Sequence, residues 1–382
     1  MAARELFVVT TPGLEGVVAD EIAAALPDAP LRRIEGGVEV ETDDRGLARL
    51  SLRLRAATRI LARVARLRAA SFAELHRRAA RLPWEDYLRP GAPIVVRATA
   101  KRSRLYHSGG IAERIAKGIG ERLGEAPALL RESEAAEDDA AARLVVRFYR
   151  DRCTISVDAS GDALHRRGYR LATAKAPLRE SLAAGLLLAA GLRPGDARAL
   201  VDPMCGAGTI AIEGALLLAG ASPSRGRPFA CAAWPSFAGD ALAREREALP
   251  ELRAPAAPIV ASDRDDGAIA ATQANAERAG ALAWLRLATA DFAECLPPAP
   301  RGLVVTNPPY GVRIADKRRL RGIYRRLGEH LRARFAGDGL DWQLALLAPT
   351  AGLAAATGLA LERRLAFRNG GIPVELFVGP IR

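Results

Sequence analysis

Between residues 199 and 378, short apolar runs recur with helical segments between them, and this alternation is what most constrains the fold of the chain. The runs are Ala199 to Val201, Ile259 to Ala261, Leu285 to Thr289, Leu303 to Thr306 and Gln343 to Leu347, with a last pair near Leu365 and at Val374 to Val378. Strands separated by helices pack as an open, mostly parallel sheet. Such a sheet binds its ligands at the carboxyl ends of the strands. The residues just after each run are therefore the first candidates for chemistry.

After the first run stands Val201-Asp-Pro-Met-Cys-Gly-Ala-Gly-Thr209, leading into a helix expected over Ile210 to Leu218. Glycines let the backbone approach a ligand closely, so Asp202, Met204, Cys205, Gly206, Gly208 and Thr209 are candidates for a cofactor site. Gly206, Gly208 and Ala211 also satisfy the G-x-G-x-x-A dinucleotide fingerprint. That fingerprint expects an acidic residue about 20 positions on, whereas the acidic strand end here is Asp263, 57 positions beyond Gly206. The stretch between them, with Pro223, Pro228 and Trp234-Pro-Ser-Phe237, reads as an insertion. Asp263 suits the two ribose hydroxyls of a methyl donor, with Asp265 and Asp266 capping the next helix. Asp291 is placed to accept from an adenine amino group, with Phe292 beside the ring, and Asp202 to face the donor's ammonium group. An NAD-type oxidoreductase is the competing reading.

The fourth run ends in Asn307-Pro308-Pro309-Tyr310, followed by Gly311. An exocyclic amine on a nucleobase is a poor nucleophile because its lone pair is delocalised into the ring. An enzyme must hold its N–H bonds while the nitrogen pyramidalises. Asn307 supplies a side-chain carbonyl for that and is also a candidate cofactor contact. Pro308 and Pro309 lack N–H groups and hold a fixed φ, which keeps a backbone carbonyl aimed inward as a second acceptor. Tyr310 offers a ring face on which a flipped base can stack, an interaction worth about 1 to 3 kcal/mol per base. Asn-Pro and Pro-Pro are also ordinary turn signals; the glycine turn upstream favours the chemical reading. No P-loop, H-E-x-x-H or G-x-S-x-G motif occurs, so nucleotide hydrolysis, zinc proteolysis and serine hydrolase chemistry lack their parts. The helix expected over Arg318 to Phe335 reads as a sheet-packing helix with a solvated arginine face.

The chain has 382 residues, 49% hydrophobic, and a net charge of +12 carried almost wholly by arginine. The stretch from Arg45 to Arg131 alone exceeds that balance, leaving the rest slightly acidic. Concentrated charge of this kind reads as a polyanion-binding surface. Lys101, Arg102, Arg104, Tyr106 and His107 precede a helix expected over Ile111 to Leu123, which also carries Arg114; Ser108 and Gly109 are expected to cap it. They are the candidate RNA contacts, with a plain capped loop as the alternative. Ahead of them, strands at Leu6 to Thr10, Val38 to Glu41, Ile60 to Leu67 and Pro93 to Ala98 alternate with helices, as in two small α+β lobes. Beyond an exposed acidic loop over 131–142, Leu144 to Tyr149 and Thr154 to Val157 read as a strand pair, with Ala163-Leu-His-Arg-Arg-Gly-Tyr169 as a further hairpin partner. The four cysteines and four histidines form no ligand cluster, so metal-free chemistry is expected. No apolar run is long enough to cross a membrane, and no signal peptide is legible, so a cytoplasmic location is expected.

Several stretches together resemble the THUMP-domain RNA methyltransferases, in particular the bacterial branch related to the N-terminal half of the large 23S rRNA guanine-N2 methyltransferase. They are Pro12-Gly-Leu-Glu, Ser103-Arg-Leu-Tyr-His-Ser-Gly-Gly-Ile-Ala-Glu-Arg114, Leu164-His-Arg-Arg-Gly-Tyr-Arg170, Ala176-Pro-Leu-Arg-Glu-Ser-Leu-Ala-Ala184, Asp202-Pro-Met-Cys-Gly-Ala-Gly-Thr209 and Asn307-Pro-Pro-Tyr-Gly311. The resemblance implies a ferredoxin-like lobe over 1–68, a THUMP RNA-binding domain over 69–160 and a linker or hairpin over 161–177. A Rossmann-like class I methyltransferase domain with a seven-stranded sheet would follow over 178–382. It implies S-adenosyl-L-methionine as cofactor, structured RNA as partner, and a monomer. It also implies that Asn307, Pro308 and Tyr310 hold the target amine, and that the product is N2-methylguanosine in 23S rRNA. A tRNA substrate, adenine N6 as acceptor, and a non-catalytic ribosome-assembly factor are the alternatives.

Overall fold

Alternating burial along the first strands builds one mixed sheet rather than two separate small ones. The computed structural model describes residues 3–134, 141–171, 178–310 and 316–382. The sheet comprises β1 (Arg4–Thr10), β2 (Leu31–Ile34), β3 (Gly37–Thr42), β4 (Ala57–Arg68), β5 (Ile94–Lys101), β6 (Leu129–Leu130), β7 (Ala142–Tyr149) and β8 (Arg152–Asp158), in the order β2-β3-β1-β4-β8-β7-β5-β6. In β7, Leu144, Val146 and Phe148 are buried while Arg147 and Tyr149 face solvent, the period of two that a half-buried strand requires. The twelve-residue β4 pairs antiparallel with β8, from Leu61 opposite Asp158 to Arg68 opposite Arg152, and so joins the two expected lobes. Neither β2 nor β6 is legible in the sequence, because one is Leu-Arg-Arg-Ile with no apolar alternation and the other is two residues long.

The chain divides into two units, each discontinuous in sequence: Met1–Val9, Glu21–Leu164 and Ser224–Ala248 form one, and Thr10–Asp20, His165–Pro223 and Leu249–Arg382 the other. The insertion expected between Gly206 and Asp263 thus supplies a segment of the first unit. Its Phe229, Trp234 and Phe237 are buried. Trp234 meets Tyr87 edge-on at 5.1 Å, and the Arg4 guanidinium lies 5.6 Å and 5.4 Å from their two ring centres. Arg4 also pairs with Asp44 and donates to the Ser236 hydroxyl at 3.0 Å. Buried Glu245 binds Arg45 at 2.8 Å and Arg49 at 2.9 Å. These contacts make the Trp-Pro-Ser-Phe stretch a structural clasp.

In the second unit β9 (Ala199–Asp202), β10 (Ile259–Asp263), β11 (Leu285–Thr289), β12 (Arg301–Thr306), β13 (Asp341–Ala348), β14 (Glu362–Asn369) and β15 (Ile372–Pro380) run in the order β11-β10-β9-β12-β13-β15-β14. The first five are parallel neighbours, and β15 lies antiparallel between β13 and β14. This is the expected seven-stranded sheet with a terminal hairpin. The helix Asp316–Phe335 packs Tyr324, Leu327, Leu331 and Phe335 into the sheet's core and also buries Leu320, as expected of a sheet-packing helix. Gly13 has φ +101°, and a Cβ there would overlap the Ala366 carbonyl on β14, so the Pro12-Gly13 turn needs glycine.

The hairpin partner expected over 163–169 is not a strand. Arg167 pairs instead with Glu213 on the helix Thr209–Leu218, and the Tyr169 hydroxyl donates to the same carboxylate at 2.8 Å. A buried carboxylate needs such partners, and they outweigh the local strand signal. Residues 172–177 of the expected linker, 135–140 of the acidic loop, and Gly311 lie outside the described residues. Among the described residues no helix is long and apolar enough to cross a membrane.

Candidate active site

Because β11, β10, β9 and β12 are parallel neighbours, their carboxyl ends lie side by side along one sheet edge. The strand order sets the polar residues there in a row: Asp291 after β11, Asp263 ending β10, Asp202 ending β9, and Asn307 after β12. They open onto one cavity of about 850 Å³, also lined by Met204, Cys205, Gly206, Thr209, Phe292, Pro308, Pro309 and Tyr310. Every cofactor and catalytic residue anticipated from the sequence lines it except Gly208. That glycine has φ +80° at the start of the helix Thr209–Leu218, and a Cβ on it would lie 2.5 Å from Thr272, so it serves close packing behind the turn.

The carboxylates differ in how they are held. Asp263 accepts from the Gly206 N–H at 3.0 Å and the Asp265 N–H at 3.1 Å, which fixes its plane. Asp265 accepts from the Gly267 N–H at 2.8 Å as the cap of the helix Asp266–Arg278. Asp291 caps a short helical turn, accepting from the Ala293 N–H at 3.0 Å, while Glu294 accepts from the Asp291 N–H at 3.0 Å. Asp202 is 1% exposed. One of its oxygens reaches the Met204 N–H at 3.4 Å, and the other has no partner among the described residues. Burial, with the charge of Asp263 nearby, pushes its pKa up to about 8. Cys205 is a buried thiol whose pKa burial also raises, as expected of an inert packing cysteine.

At the β12 end, the Asn307 side-chain oxygen is buried with no partner among the described residues. The Tyr310 hydroxyl accepts from Asn369 Nδ2 at 2.7 Å. Asn369 closes β14 and Ile372 of the same hairpin lines the cavity. Neither was signalled by the sequence, since both act 59 or more positions from Tyr310. Arg326 was also missed. It belongs to the helix expected to pack on the sheet with a solvated arginine face, yet it lines the cavity, 5.3 Å from the Phe292 ring centre and 3.7 Å from Asp291.

The candidate RNA residues lie in the first unit, at one end of its sheet. Lys101 ends β5, and the β7–β8 turn packs against the loop that follows. Arg150 N–H donates to the Lys101 carbonyl at 3.3 Å, Arg104 N–H to Asp151 at 2.8 Å, and Asp151 N–H to the Ser103 hydroxyl at 3.1 Å. Arg102, Arg150 and Asp151 have left-handed φ values of 53°, 50° and 59°, costly for residues with a Cβ. Tyr106 is 80% exposed, and Tyr149, opposite Lys101 at the end of β7, is also exposed, with Arg150 5.3 Å from the Tyr149 ring centre. The helix begins at Ser108, earlier than anticipated. His107 is its cap, accepting from the Gly110 N–H at 2.9 Å through Nδ1, so Ser108 and Gly109 fall inside the first turn. Arg114 is half-buried on the next turn.

A seven-stranded sheet of this order, with carboxylates along its carboxyl edge, defines a class I S-adenosylmethionine-dependent methyltransferase fold. The residues fit that cofactor: a buried carboxyl oxygen at Asp202, without a partner among the described residues, suits a cation, and a backbone-fixed Asp263 suits a ribose. The chain belongs to the RMKL-like methyltransferase family, whose domain model matches residues 167–376. An RlmL ferredoxin-like domain matches residues 5–61 and a THUMP domain residues 69–158. A relative in Syntrophotalea carbinolica, named ribosomal RNA large subunit methyltransferase K/L, is 34% identical over 98% of this chain and 53% of its own length. The chain spans about half the length of such curated relatives. A Synechocystis protein provisionally named as an RNA methyltransferase is 31% identical over 98% of this chain and 96% of its own. Among solved structures, one from Listeria monocytogenes, described as a predicted N6-adenine-specific DNA methylase, is 29% identical with a TM-score of 0.82. It covers 99% of this chain and 96% of its own.

Proposed function

We propose that this chain transfers a methyl group from S-adenosylmethionine to the exocyclic N2 amine of a guanine in large-subunit ribosomal RNA. The observation that carries this reading is the Asn307 carbonyl oxygen, buried and without a partner among the described residues, beside Tyr310 in a cavity that can hold the donor. A buried acceptor left unpaired costs about 1 to 3 kcal/mol, and a substrate N–H would remove that cost. The RNA is supported by the THUMP match and by the names of the relatives, and the guanine N2 acceptor by the motif resemblance to the guanine-N2 branch of the family.

The row of strand ends matches the order of the donor's parts. Asp291 would accept from the adenine amine beside Phe292, Asp263 would accept from both ribose hydroxyls, and Asp202 would face the ammonium group. When bound, the donor supplies an electrophilic methyl group on a sulfonium. Asn307 accepts an N–H of the target amine, so the nitrogen lone pair can leave the ring and point along the line of transfer. Pro308 and Pro309 hold the loop's backbone, and Tyr310 stacks on a base taken out of its helix. Orientation contributes most to the rate. In the first unit, Lys101, Arg102, Arg104, Tyr106, His107 and Arg114, joined by Tyr149 and Arg150, supply RNA affinity.

Incubating the protein with labelled S-adenosylmethionine and separated ribosomal RNA, transfer RNA and DNA, then digesting to nucleosides, tests all parts of this reading. Label in N2-methylguanosine from ribosomal RNA is expected. Label in N6-methyl-2′-deoxyadenosine from the DNA would favour the acceptor named for the Listeria structure, and no label in any pool would sink the proposal.

A further inference from the structure

The turn between β9 and the helix Thr209–Leu218 is held from behind by two side chains that do not line the cavity. Thr272 and Asn275 lie one turn apart on the helix Asp266–Arg278, and both are fully buried. The Thr272 hydroxyl donates to the Gly206 carbonyl at 2.8 Å, and Asn275 Nδ2 donates to the Ala207 carbonyl at 3.0 Å. Two successive carbonyls of the turn are thereby drawn toward that helix. In a planar trans peptide the C=O and N–H point in opposite directions, so the N–H groups of Ala207 and Gly208 face away from it. The Gly208 N–H is used inside the turn, donating to the Cys205 carbonyl at 2.8 Å. Ala207 lines the cavity, so its N–H is the one turned toward a ligand.

Asp202 lies on the same stretch with a buried carboxyl oxygen that has no partner among the described residues. The stretch therefore presents a buried carboxyl group that a cation would ionise and, a few residues on, an N–H at a helix N-terminus. A zwitterion has the complementary pair. We propose that Thr272 and Asn275 are positioning residues for the amino-acid end of the methyl donor: by fixing the Gly206 and Ala207 carbonyls, they aim the Ala207 N–H at the donor's carboxylate. This rests on the reading of the cavity as the donor site. Asn275 is itself braced, since its side-chain oxygen accepts from Arg278, whose Nε donates to the Tyr169 carbonyl at 2.8 Å. The space a side chain at position 208 would need is filled by Thr272, which lets its hydroxyl come within reach of the turn.

Calorimetric titration with two ligands tests the assignment. S-adenosylhomocysteine carries the amino-acid end; 5′-methylthioadenosine keeps the adenosine and lacks that end. Thr272→Val and, independently, Asn275→Ser should each weaken S-adenosylhomocysteine about fivefold to tenfold, the range for one lost hydrogen bond. Binding of 5′-methylthioadenosine should be unchanged, and Thr272→Ser should restore wild-type affinity for both. Equal loss for the two ligands, as a general loosening of the fold would give, overturns the proposal, and so does no loss for either. Failure of the unaltered protein to bind S-adenosylhomocysteine would instead overturn the reading of the cavity.

Discussion

The two ends of the cavity are built on different principles. At the donor end Asp263 and Asp291 are pinned by backbone N–H groups, and the glycine turn is braced by Thr272 and Asn275. At the acceptor end the Asn307 oxygen has no partner among the described residues, and Tyr310 is anchored by Asn369 from 59 positions away. On the proposed reading, Asp263, Asp291 and the glycine turn are preorganised for the donor, whereas Asn307, like Asp202, is completed by its ligand. Groups aimed in advance at a developing charge lose nothing to reorganisation, while an unsatisfied acceptor selects for a ligand that brings an N–H.

The largest effect should come from Asn307→Ala, which on this view lowers methyl transfer at saturating donor by about 100-fold to 1,000-fold, the scale for removing one preorganised polar group. Calorimetry should find S-adenosylhomocysteine binding within about twofold of wild type. Loss of donor binding as well would erase the distinction between the two ends. Asp263→Ala should do the reverse. Losing a charged acceptor of two hydroxyls weakens donor binding by about 10-fold to 100-fold, with turnover largely recovered at saturating donor in steady-state kinetics.

A pH series sharpens the donor side. With its pKa pushed up to about 8 by burial, the Asp202 carboxyl is largely protonated at neutral pH in the free protein. A donor ammonium favours the ionised form, so binding releases a proton and tightens as pH rises from 6 toward about 8. The change is at most about tenfold per unit, and Asp202→Asn should flatten it. The folded pKa lies above the unfolded value, so the free protein binds the extra proton between the ordinary carboxylate range and about 8. Its stability should fall as pH rises through that window, and thermal melts of Asp202→Asn should lack this component. The smallest effect concerns the acceptor loop. Tyr310→Phe and Asn369→Leu should each lower kcat by about threefold to tenfold, and the double variant should be no slower than the slower single one. Full additivity would show that the 2.7 Å bond does not couple the two residues.

Much of this site was legible because parallel strands convert sequence position into spatial order. Asp202, Asp263, Asp291 and Asn307 could be chosen one by one as residues ending apolar runs, and the sheet order then sets them in a row. Arg326 was illegible because a lone arginine on a basic helix reads as solvated until Phe292 and Asp291 are found beneath it. His107 reads in the sequence as a candidate RNA contact, and its role as a cap through Nδ1 depends on a ring orientation that composition does not encode. The strand expected over 163–169 failed because its local pattern was outweighed by the buried Glu213 carboxylate.

The sequence by itself determined the strand periodicity, the glycine turn, the polar residue after each strand and the basic character of the first unit, because each is a short-range pattern of residue types. Only the tertiary structure decided that β4 and β8 fuse two lobes into one sheet, that the insertion joins the first unit, and that Thr272, Asn275 and Asn369 hold the site. The physical reason is separation along the chain: these contacts span 59 to 68 positions at the site, 84 to 97 between β4 and β8, and 196 to 232 where Arg49 and Arg4 meet the insertion, and their energy depends on pairs of residues that share no local period.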